Sequence, residues 1–454
     1  MSAYVTADGL PGIALSEWAS GRVPHVSMGE RDLRLAERLR GRGGDSRVDV
    51  LPGEGGVLVT TTGAVGLIRF TGFEVRIDPK LPGGHVQLFR LIEFAEGLDG
   101  LVQLAGSPHM RASDTNLLDF IVELLAFATD RIIVGGLRAD YVEHEDTLPA
   151  LRGRLLPDRQ HLERFGVYDR VVCRYDEHEH DIADNQLLAL ALSRGARIAT
   201  SPRVRRRTRG LAGLLEEICD PRALEPIPSP AEFSYNRQNE HYRTAHALAW
   251  LVLGQTGPDE ALQTGQPQMR SFLIDMSAVF ERFLERSLAL ALADTQTSLV
   301  AQRSDSIFWR PDRAAKYARV RPDLLVQSSL RTQARLPIDA KYKRYDLRSV
   351  DVSDLTQVFV YAYAYRDPRI TDRAPAALLM YPSESAGQPS VMPLEVHSVH
   401  ERLIDAALTI VGVHIPSVLD DAAAGGGPSL SALMNLILAR LPPPNLAPAS
   451  GHRG

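Results

Sequence analysis

Cysteine is nearly absent from this 454-residue sequence, which holds only Cys173 and Cys219. Two thiols build no disulfide framework, and no CxxC or Cys/His zinc spacing accompanies them, so two inert cysteines in a reducing compartment are expected. Long apolar runs are missing too. No stretch of roughly 18 apolar residues without charge occurs, so no membrane span is expected. The opening MSAYVTADGLPGIALSEW has no basic region followed by an apolar run, so it is not read as a secretory signal, and a cytoplasmic protein is expected. An excess of positive charge is lacking: the net charge of -5 argues against a general polyanion binder. Any nucleic-acid contact must then come from a local basic patch. There is no G-x-x-x-x-G-K-[ST] phosphate loop, so the chain should not hydrolyse nucleotide alone. What is present is ordinary for a soluble globular protein, with 44% hydrophobic and 24% charged residues. The length exceeds one core, and two or three domains are expected.

The pattern along the chain predicts a mixed α/β protein. Residues 57–70 and 73–81 are β-branched and partly alternating, and Thr71-Gly72 divides them as in a hairpin. HVQLFRLIEFAEGL (residues 85–98) and the more apolar NLLDFIVELLAFATDRIIVGGL (residues 116–137) read as helices. A β-rich N-terminal interaction domain is thus expected over 1–145. Strand and turn signals return near Thr147, and DIADNQLLALALSRGARIAT then reads as a helix in a mainly helical middle segment, 146–265. It is interrupted by SPRVRRRTRG, read as non-helical, and closes on a helix reaching Leu253 and a Gly/Pro-bearing boundary over 254–268. The C-terminal segment, 266–415, opens with a predicted helix SFLIDMSAVFERFLERSLALALA, whose apolar stripe is Phe272, Met276, Phe280, Phe283 and Leu284. Strand RPDLLV, strand RLPIDAKYK, helix LTQVFVYAYAYR and strand AALLMYP follow, the order of an α/β sandwich. Residues 416–454 read as a flexible linker (DDAAAGGGPS), one short helix and a disordered tail.

The chemistry concentrates in RPDLLV and PIDAKYK. Side chains alternate in a strand, so Asp339 and Lys341 share a face, Lys343 continues it, and Ile338, Ala340 and Tyr342 take the other. If the two strands pair, Asp323 converges on Asp339. Two carboxylates a few ångströms apart raise each other's pKa unless a cation lies between them. A hard divalent ion with oxygen ligands, Mg²⁺ or Mn²⁺, relieves that repulsion. Lys341 beside it can orient or deprotonate a water, or stabilise charge on a phosphorane-like transition state. An isolated Asp-x-Lys is ordinarily a solvated pair worth little. Here a Pro-Asp strand precedes it, a glutamate-bearing helix comes before that, and a helix carrying Gln357 follows. This is the form of the PD-(D/E)xK nuclease motif, with Glu281, Asp323, Asp339 and Lys341 meeting. Glu285, one turn after Glu281, is an equal candidate for the helix carboxylate. Gln357 lies early enough in its helix to reach a phosphate.

The nuclease block, including its Gln357-x-x-x-Tyr361 helix, resembles McrC, the nuclease subunit of McrBC-type modification-dependent (type IV) restriction systems. LPALRGRL, CRYDEHEHDIADNQLLALAL, SYNRQNEHY and FEVRIDPKLPGGHVQLFRLIEFAEGL extend the resemblance over most of the chain. The resemblance implies a C-terminal restriction-endonuclease-like domain with Asp323, Asp339 and Lys341 as the catalytic set, Gln357 accessory, and Asp323, Asp339 and Glu281 toward the metal. It implies double-stranded DNA as substrate and a McrB-like AAA+ GTPase hexamer as partner. The N-terminal region would dock on that partner, and GTP would enter only through it.

Seven arginines lie between Arg194 and Arg209. Of these, Arg203, Arg205, Arg206 and Arg207 are candidates to follow a phosphate backbone or an acidic partner face, with a simple solvated loop as the alternative. DEHEHD (residues 176–181), with two His at i, i+2 and no third ligand nearby, reads as a surface turn. Two other readings compete with the nuclease subunit: a non-catalytic assembly factor that only stimulates the motor, and a stand-alone nuclease.

Overall fold

A computed structural model describes residues 2–6, 9–40, 47–81, 84–97, 117–166, 169–224, 226–228, 232–253, 271–310, 312–313, 315–328, 334–346, 349–367, 373–399 and 404–441. The boundary expected at 254–268 and the tail from 442 lie outside them.

The N-terminal region forms two sheets from β1 (Ser2–Val5), β2 (Pro11–Ser16), β3 (Ser20–Pro24), helix α1 (Glu30–Arg40), β4 (Val48–Gly53), β5 (Gly56–Thr61), β6 (Ala64–Arg69) and β7 (Glu74–Asp78). The expected hairpin is β6–β7, antiparallel with Gly66 opposite Ile77, closed by the Phe70 amide donating to the Phe73 carbonyl. Helices α2 (Gly84–Glu96) and α3 (Leu117–Gly135) fall where the apolar periodicity puts them. Helix α3 has almost no polar face, and Leu118, Ile121, Val122, Leu124, Leu125 and Ala126 are all fully buried.

The middle region differs from its sequence reading in two places. Strands β8 (Asp140–Leu148), β9 (Arg154–Leu155) and β10 (Val171–Glu179), with helix α4 (Pro157–Arg164), make a three-stranded sheet of order β8-β10-β9. DEHEHD is mostly the end of β10 rather than a turn. His178 lies against the Tyr141 ring at 5.0 Å, and His144 Nε2 contacts Glu179 Oε1 at 3.0 Å. Charge opposition does not set this register, since Asp176 faces Glu143 and Glu179 faces Asp140; the Arg174–Glu145 and Arg152–Glu177 pairs and the His144–Glu179 contact offset that repulsion. The arginine-rich stretch is helical, not irregular: after α5 (Ala183–Ile198), α6 (Pro202–Glu216) starts with Pro202 in its first turn, where a missing N–H costs nothing. Val204, Thr208, Leu211, Ala212 and Leu215 give α6 the buried stripe that packs it on α5 and α3.

Both feet of the β8–β10 sheet are clamped by one polar network. Asn185 Nδ2 donates to the carbonyls of Arg138 (2.9 Å) and His180 (2.7 Å), the residues flanking the sheet. Tyr242 in the turn before α7 (Arg243–Leu253) donates its hydroxyl to Asn185 Oδ1 at 2.9 Å, and Arg138 Nη1 pairs with Asp184 Oδ2 at 2.6 Å. Buried polar groups require such partners, so DIADNQ and SYNRQNEHY are held together by necessity.

The C-terminal region contains β11 (Ser271–Asp275), α8 (Met276–Leu292), β12 (Thr297–Ala301), β13 (Asp305–Arg310), β14 (Ala315–Val320), β15 (Leu324–Ser328), β16 (Arg335–Ala340), α9 (Val352–Ala364), β17 (Ala376–Pro382), β18 (Ser390–His397), β19 (Ile404–Val413), α10 (Ile415–Ala423) and α11 (Pro428–Arg440). Residues 271–275 are a strand, not the first turn of α8. Asp275 accepts from the amides of Ser277 (3.0 Å) and Ala278 (3.3 Å), so the helix starts there. β11 pairs with β6 and completes the N-terminal sheet β1-β2-β7-β6-β11. The main sheet has order β12-β15-β16-β17-β19-β18, with β16–β17 and β17–β19 parallel. Alternation along β17 sends Leu378 and Met380 to the core shared with α8, and Ala377, Leu379 and Tyr381 to the core under α9. The result is a helix-sheet-helix sandwich, and its larger core continues into α2, α3 and α5–α7.

DDAAAGGGPS is not a flexible linker. It ends α10, turns through Gly425 (φ +76°) and Gly426 (φ +149°), conformations natural to glycine, and starts α11. Asp421 Oδ2 accepts from the Ser429 (2.6 Å) and Leu430 (3.1 Å) amides at the α11 N-terminus, and Leu430, Leu433 and Ile437 are buried. Among the described residues no single helix is long and apolar enough to cross a membrane. Asp421→Ala should lower the unfolding free energy by about 1–2 kcal/mol, the usual value of a lost N-terminal cap. Urea denaturation measures it; unchanged stability would mean that the turn holds without the carboxylate.

Candidate active site

The antiparallel β15–β16 hairpin sets Leu324 opposite Ile338, which brings Asp323, one residue before β15, alongside Asp339. The register explains why a charge stands in so apolar a strand. Ile338 is fully buried in the core, so Asp339 is turned to the opposite side, the one covered by α9. The parallel neighbour β17 then catches the chain as it leaves β16, the Lys341 amide donating to the Met380 carbonyl at 2.9 Å.

Asp323 Oδ2 accepts the Ala340 amide at 2.7 Å. Asp339 has 1% side-chain exposure, and its Oδ2 lies 3.1 Å from Lys341 Nζ. That separation is an ion-pair distance, yet no hydrogen bond of good geometry reaches Oδ2, which is buried. Desolvation by burial, followed by the Asp323 charge, pushes the Asp339 carboxyl up to about 7 against the pull of Lys341. Asp323 is raised as well, first by burial, although the Ala340 amide and Lys341 oppose the shift. Burial alone would lower the Lys341 ammonium, but Asp339 and then Asp323 outweigh it and hold Lys341 above the ordinary lysine value.

Glu281 on α8 stands beside this group but is not joined to it. Its carboxylate takes a hydrogen bond from the Gln302 side chain, and burial, then Asp323, push it up to about 7. Gln302 also donates its amide to the Asp323 carbonyl at 2.8 Å from a left-handed backbone (φ +51°). Such a conformation is uncommon outside glycine, and it fixes Gln302 between Glu281 and Asp323. No motif marks Gln302, and its backbone conformation is invisible in sequence. The Gln302 hydrogen bond ties Glu281 to the backbone of Asp323, which favours it over Glu285 as the helix carboxylate. Gln357 reaches the site's rim through Tyr361: its Nε2 donates to the Tyr361 hydroxyl at 2.8 Å, which donates to the Arg321 carbonyl at 3.0 Å.

Lys343 does not continue the charged face. β16 ends at Ala340, the Lys343 amide folds back to the Lys341 carbonyl (2.8 Å), and Nζ pairs with Asp351 (2.8 Å) and Asp354 (2.7 Å) at the start of α9. The four arginines of α6 are not gathered here either. Arg203 pairs with Glu123 (2.6 Å), Arg207 with Asp130 (3.2 Å), Arg205 donates to the Ala199 carbonyl (2.9 Å), and Arg206 is exposed.

Among the described residues no group of three or more His, Cys, Asp and Glu side chains is gathered as a metal site. The Asp323–Asp339 pair nevertheless suits a hard divalent ion. It offers a buried carboxylate oxygen that no hydrogen bond of good geometry reaches, and Mg²⁺ needs only one or two carboxylates because it keeps several waters.

The chain is matched over residues 59–382 by the family model described as McrBC 5-methylcytosine restriction system component. This chain belongs to the McrBC family. Among solved structures it is similar in fold to a chain of the refined half-complex from the tetradecameric assembly of Thermococcus gammatolerans McrB AAA+ hexamers with bound McrC. That match has a TM-score of 0.54 and 20% identity, covering 91% of this chain and 99% of the other. A chain of the Thermococcus gammatolerans McrBC complex, solved by cryo-EM, is 21% identical with a TM-score of 0.44, covering 62% of this chain and 88% of that one. No curated protein matches.

One residue of this McrBC-family chain that the sequence did not mark ties the N-terminal region to the site. Glu17, fully buried after β2, accepts from the Lys80 amide (2.8 Å) and the Tyr342 hydroxyl (3.3 Å), and Tyr342 adjoins Lys341. A cavity of ≈ 40 Å³ lined by Glu17, Lys80, Tyr342 and Arg344 lies at this junction, with room for a buried water. Burial pushes the Glu17 carboxyl up to about 7 from an ordinary 4.5, despite the two hydrogen bonds. Across that window the folded state binds the extra proton, so this group's stabilising effect is complete below about pH 4.5 and is lost as pH rises to about 7. Glu17→Gln removes that loss. At about pH 8 the variant should be more stable than wild type by roughly 1–3 kcal/mol, with the gap closing below about pH 4.5. Denaturant unfolding at both pH values checks the trend, and a gap that widened in acid would contradict it.

Proposed function

We propose that this chain is the endonuclease subunit of a McrBC-like restriction system. It hydrolyses phosphodiester bonds of double-stranded DNA with Mg²⁺ or Mn²⁺, in the cytoplasm, in defence against foreign modified DNA. The observation that carries the reading is the convergence of Asp323, Asp339 and Lys341 around a buried carboxylate oxygen with no hydrogen bond, in a chain of the McrBC family. The strand, helix and spacing context is that of a PD-(D/E)xK nuclease.

In this reading Asp323 and Asp339 hold the ion, with Glu281 as an outer carboxylate. When bound, the ion neutralises the phosphate and lowers the pKa of water. Lys341, kept charged by Asp339, donates to a non-bridging phosphate oxygen and stabilises the charge that grows on it in the transition state. Asp323 is fixed by the Ala340 amide, so the two carboxylates need no reorganisation at the moment of reaction. Gln357, held by Tyr361, supports the phosphate at the rim, and the arginines of α6, with Arg206 outermost, are an outer phosphate contact.

The partner is a McrB-like AAA+ GTPase hexamer, and the β-rich region 1–145 is the part proposed to dock on it and stimulate its GTP hydrolysis. The first solved neighbour, described as McrB AAA+ hexamers with bound McrC, supports the identity of the partner, while the docking region rests on the resemblance to McrC.

Asp339→Ala should abolish DNA cleavage while leaving stimulation of the partner's GTPase at the wild-type level. Lys341→Ala should slow cleavage by about 10²–10³-fold, as for loss of one donor to a developing oxyanion. A cleavage assay with plasmid DNA, Mg²⁺ and the partner reads both. Persistent cleavage by Asp339→Ala would remove the active-site assignment, and a wild type that stimulates GTP hydrolysis but never cuts would favour the non-catalytic assembly factor.

A further inference from the structure

The β13–β14 ribbon was not foreseen in the sequence, and its composition does not suit a surface left in water. Its strands pair only with each other, Trp309 opposite Lys316 and Ser306 opposite Arg319, with irregularities on either side of Phe308. A lone two-stranded ribbon is marginally stable, so it must be rooted elsewhere. The root is at the active site. Ile307 and Val320 pack with Leu325, Tyr361 and Tyr365, and the Tyr365 hydroxyl donates to Asp305 Oδ2 at 2.9 Å. Beyond this root the ribbon exposes large aromatics: Trp309 at 58%, Tyr317 at 72% and Phe308 at 46%. Scattered exposed apolar residues need no explanation, but three aromatics on one short ribbon are a contact surface.

Charge selects the partner. Asp305 pairs with Arg303 (2.8 Å), and Asp312 with Arg310 (2.6 Å). No ion pair to Lys316 or Arg319 occurs among the described residues, and Lys316 Nζ lies 6.0 Å from the centre of the Trp309 ring. A cationic, aromatic ribbon on a chain of net charge -5 is a local feature that favours a polyanion whose grooves also present apolar sugar and base-edge surface. Its reach suits a duplex. Tyr317 precedes Asp323 by six residues, and an extended chain advances about 3.3 Å per residue, so the outer ribbon can stand at most roughly 20 Å from the aspartates. That is between a half and a whole turn of B-DNA, whose major groove admits a two-stranded ribbon.

We infer that the β13–β14 ribbon enters a groove of the duplex DNA beside the cut phosphate. Lys316 and Arg319 contact the backbone, and Trp309 and Tyr317 pack on sugars and base edges. The inference rests on the proposed nuclease reading and assigns that site its duplex-gripping element.

The test uses the full chain carrying Asp339→Ala, co-expressed with its motor subunit, and a fluorescent duplex DNA probe read by anisotropy over a salt series. Lys316→Glu/Arg319→Glu should weaken binding at least about tenfold and flatten the salt dependence by about two phosphate contacts. Trp309→Ala/Tyr317→Ala should weaken it by about tenfold with the salt slope kept. All four side chains are exposed, so unchanged thermal melting separates lost contact from lost fold. If both double variants bind like their parent while the wild-type chain cleaves, the ribbon inference falls and the nuclease reading stands. If the variants instead lose the motor subunit and keep the DNA, the ribbon is a protein-docking surface and the inference also falls. If the wild type neither binds nor cuts duplex DNA, the nuclease reading falls and takes this inference with it.

Discussion

Two aspartates that repel each other in a nearly dry pocket are the constraint around which this molecule is arranged. Asp339 is almost fully buried, one of its oxygens has no hydrogen bond, and Lys341 is the single cation in direct contact with it among the described residues. Left to itself, such a pair takes up a proton, which the upward shifts of both carboxyls express. It persists because its backbone is overdetermined. β16 is held on one edge by β15 and on the other by β17, and neither strand can shift register without exposing Ile338 or Leu378. The packing energy of the sandwich supports a local electrostatic strain that a divalent ion would relieve.

The surrounding contacts extend that rigidity in two directions. Toward the N-terminus, β11 belongs to the first sheet, yet it runs directly into α8, which carries Glu281. Glu17 holds Tyr342 from the same side, so the residue following Lys341 is braced by the N-terminal region. Toward the C-terminus, α10 and α11 cover α8 and close the larger core. A shift of the first sheet would therefore be felt at α8, which carries Glu281, and at Tyr342, next to Lys341. A motor acting on the N-terminal region and a nuclease acting on DNA would share one apolar core, not communicate through a linker.

What the sequence makes legible follows from whether a signal is local. The β6–β7 hairpin, α2, α3 and the strand-helix order of the sandwich are readable because apolar periodicity and turn residues lie within a few positions of one another. Asp323, Asp339 and Lys341 are readable because alternation and hairpin pairing are local rules. The misreadings occur where distant contacts decide. Ser271–Asp275 reads as helix until β6 offers it a sheet edge, and the glycine-rich stretch after α10 reads as flexible until Asp421 caps the next helix. The arginines of α6 read as irregular because their carboxylate partners lie on α3, some eighty positions away. Glu17 and Gln302 carry no local signature at all, since one acts through Tyr342 and the other through a left-handed backbone.

The same distinction bears on how the site could have been assembled on this scaffold. Asp339 and Lys341 need only strand alternation, and Asp323 needs only the hairpin, so a short β-segment contains the essential charges. Everything that makes the charges useful is non-local: burial by α8 and α9, the Tyr361 hydroxyl on the Arg321 carbonyl, Gln302 between Glu281 and Asp323, and Glu17 behind Tyr342. Burial raises the carboxyls and by itself would lower the lysine, but the charges of Asp339 and then Asp323 outweigh it and raise Lys341. The lysine's charge thus depends on the packing of elements remote from it, and a change in that packing would alter the electrostatics of the site before it altered the fold.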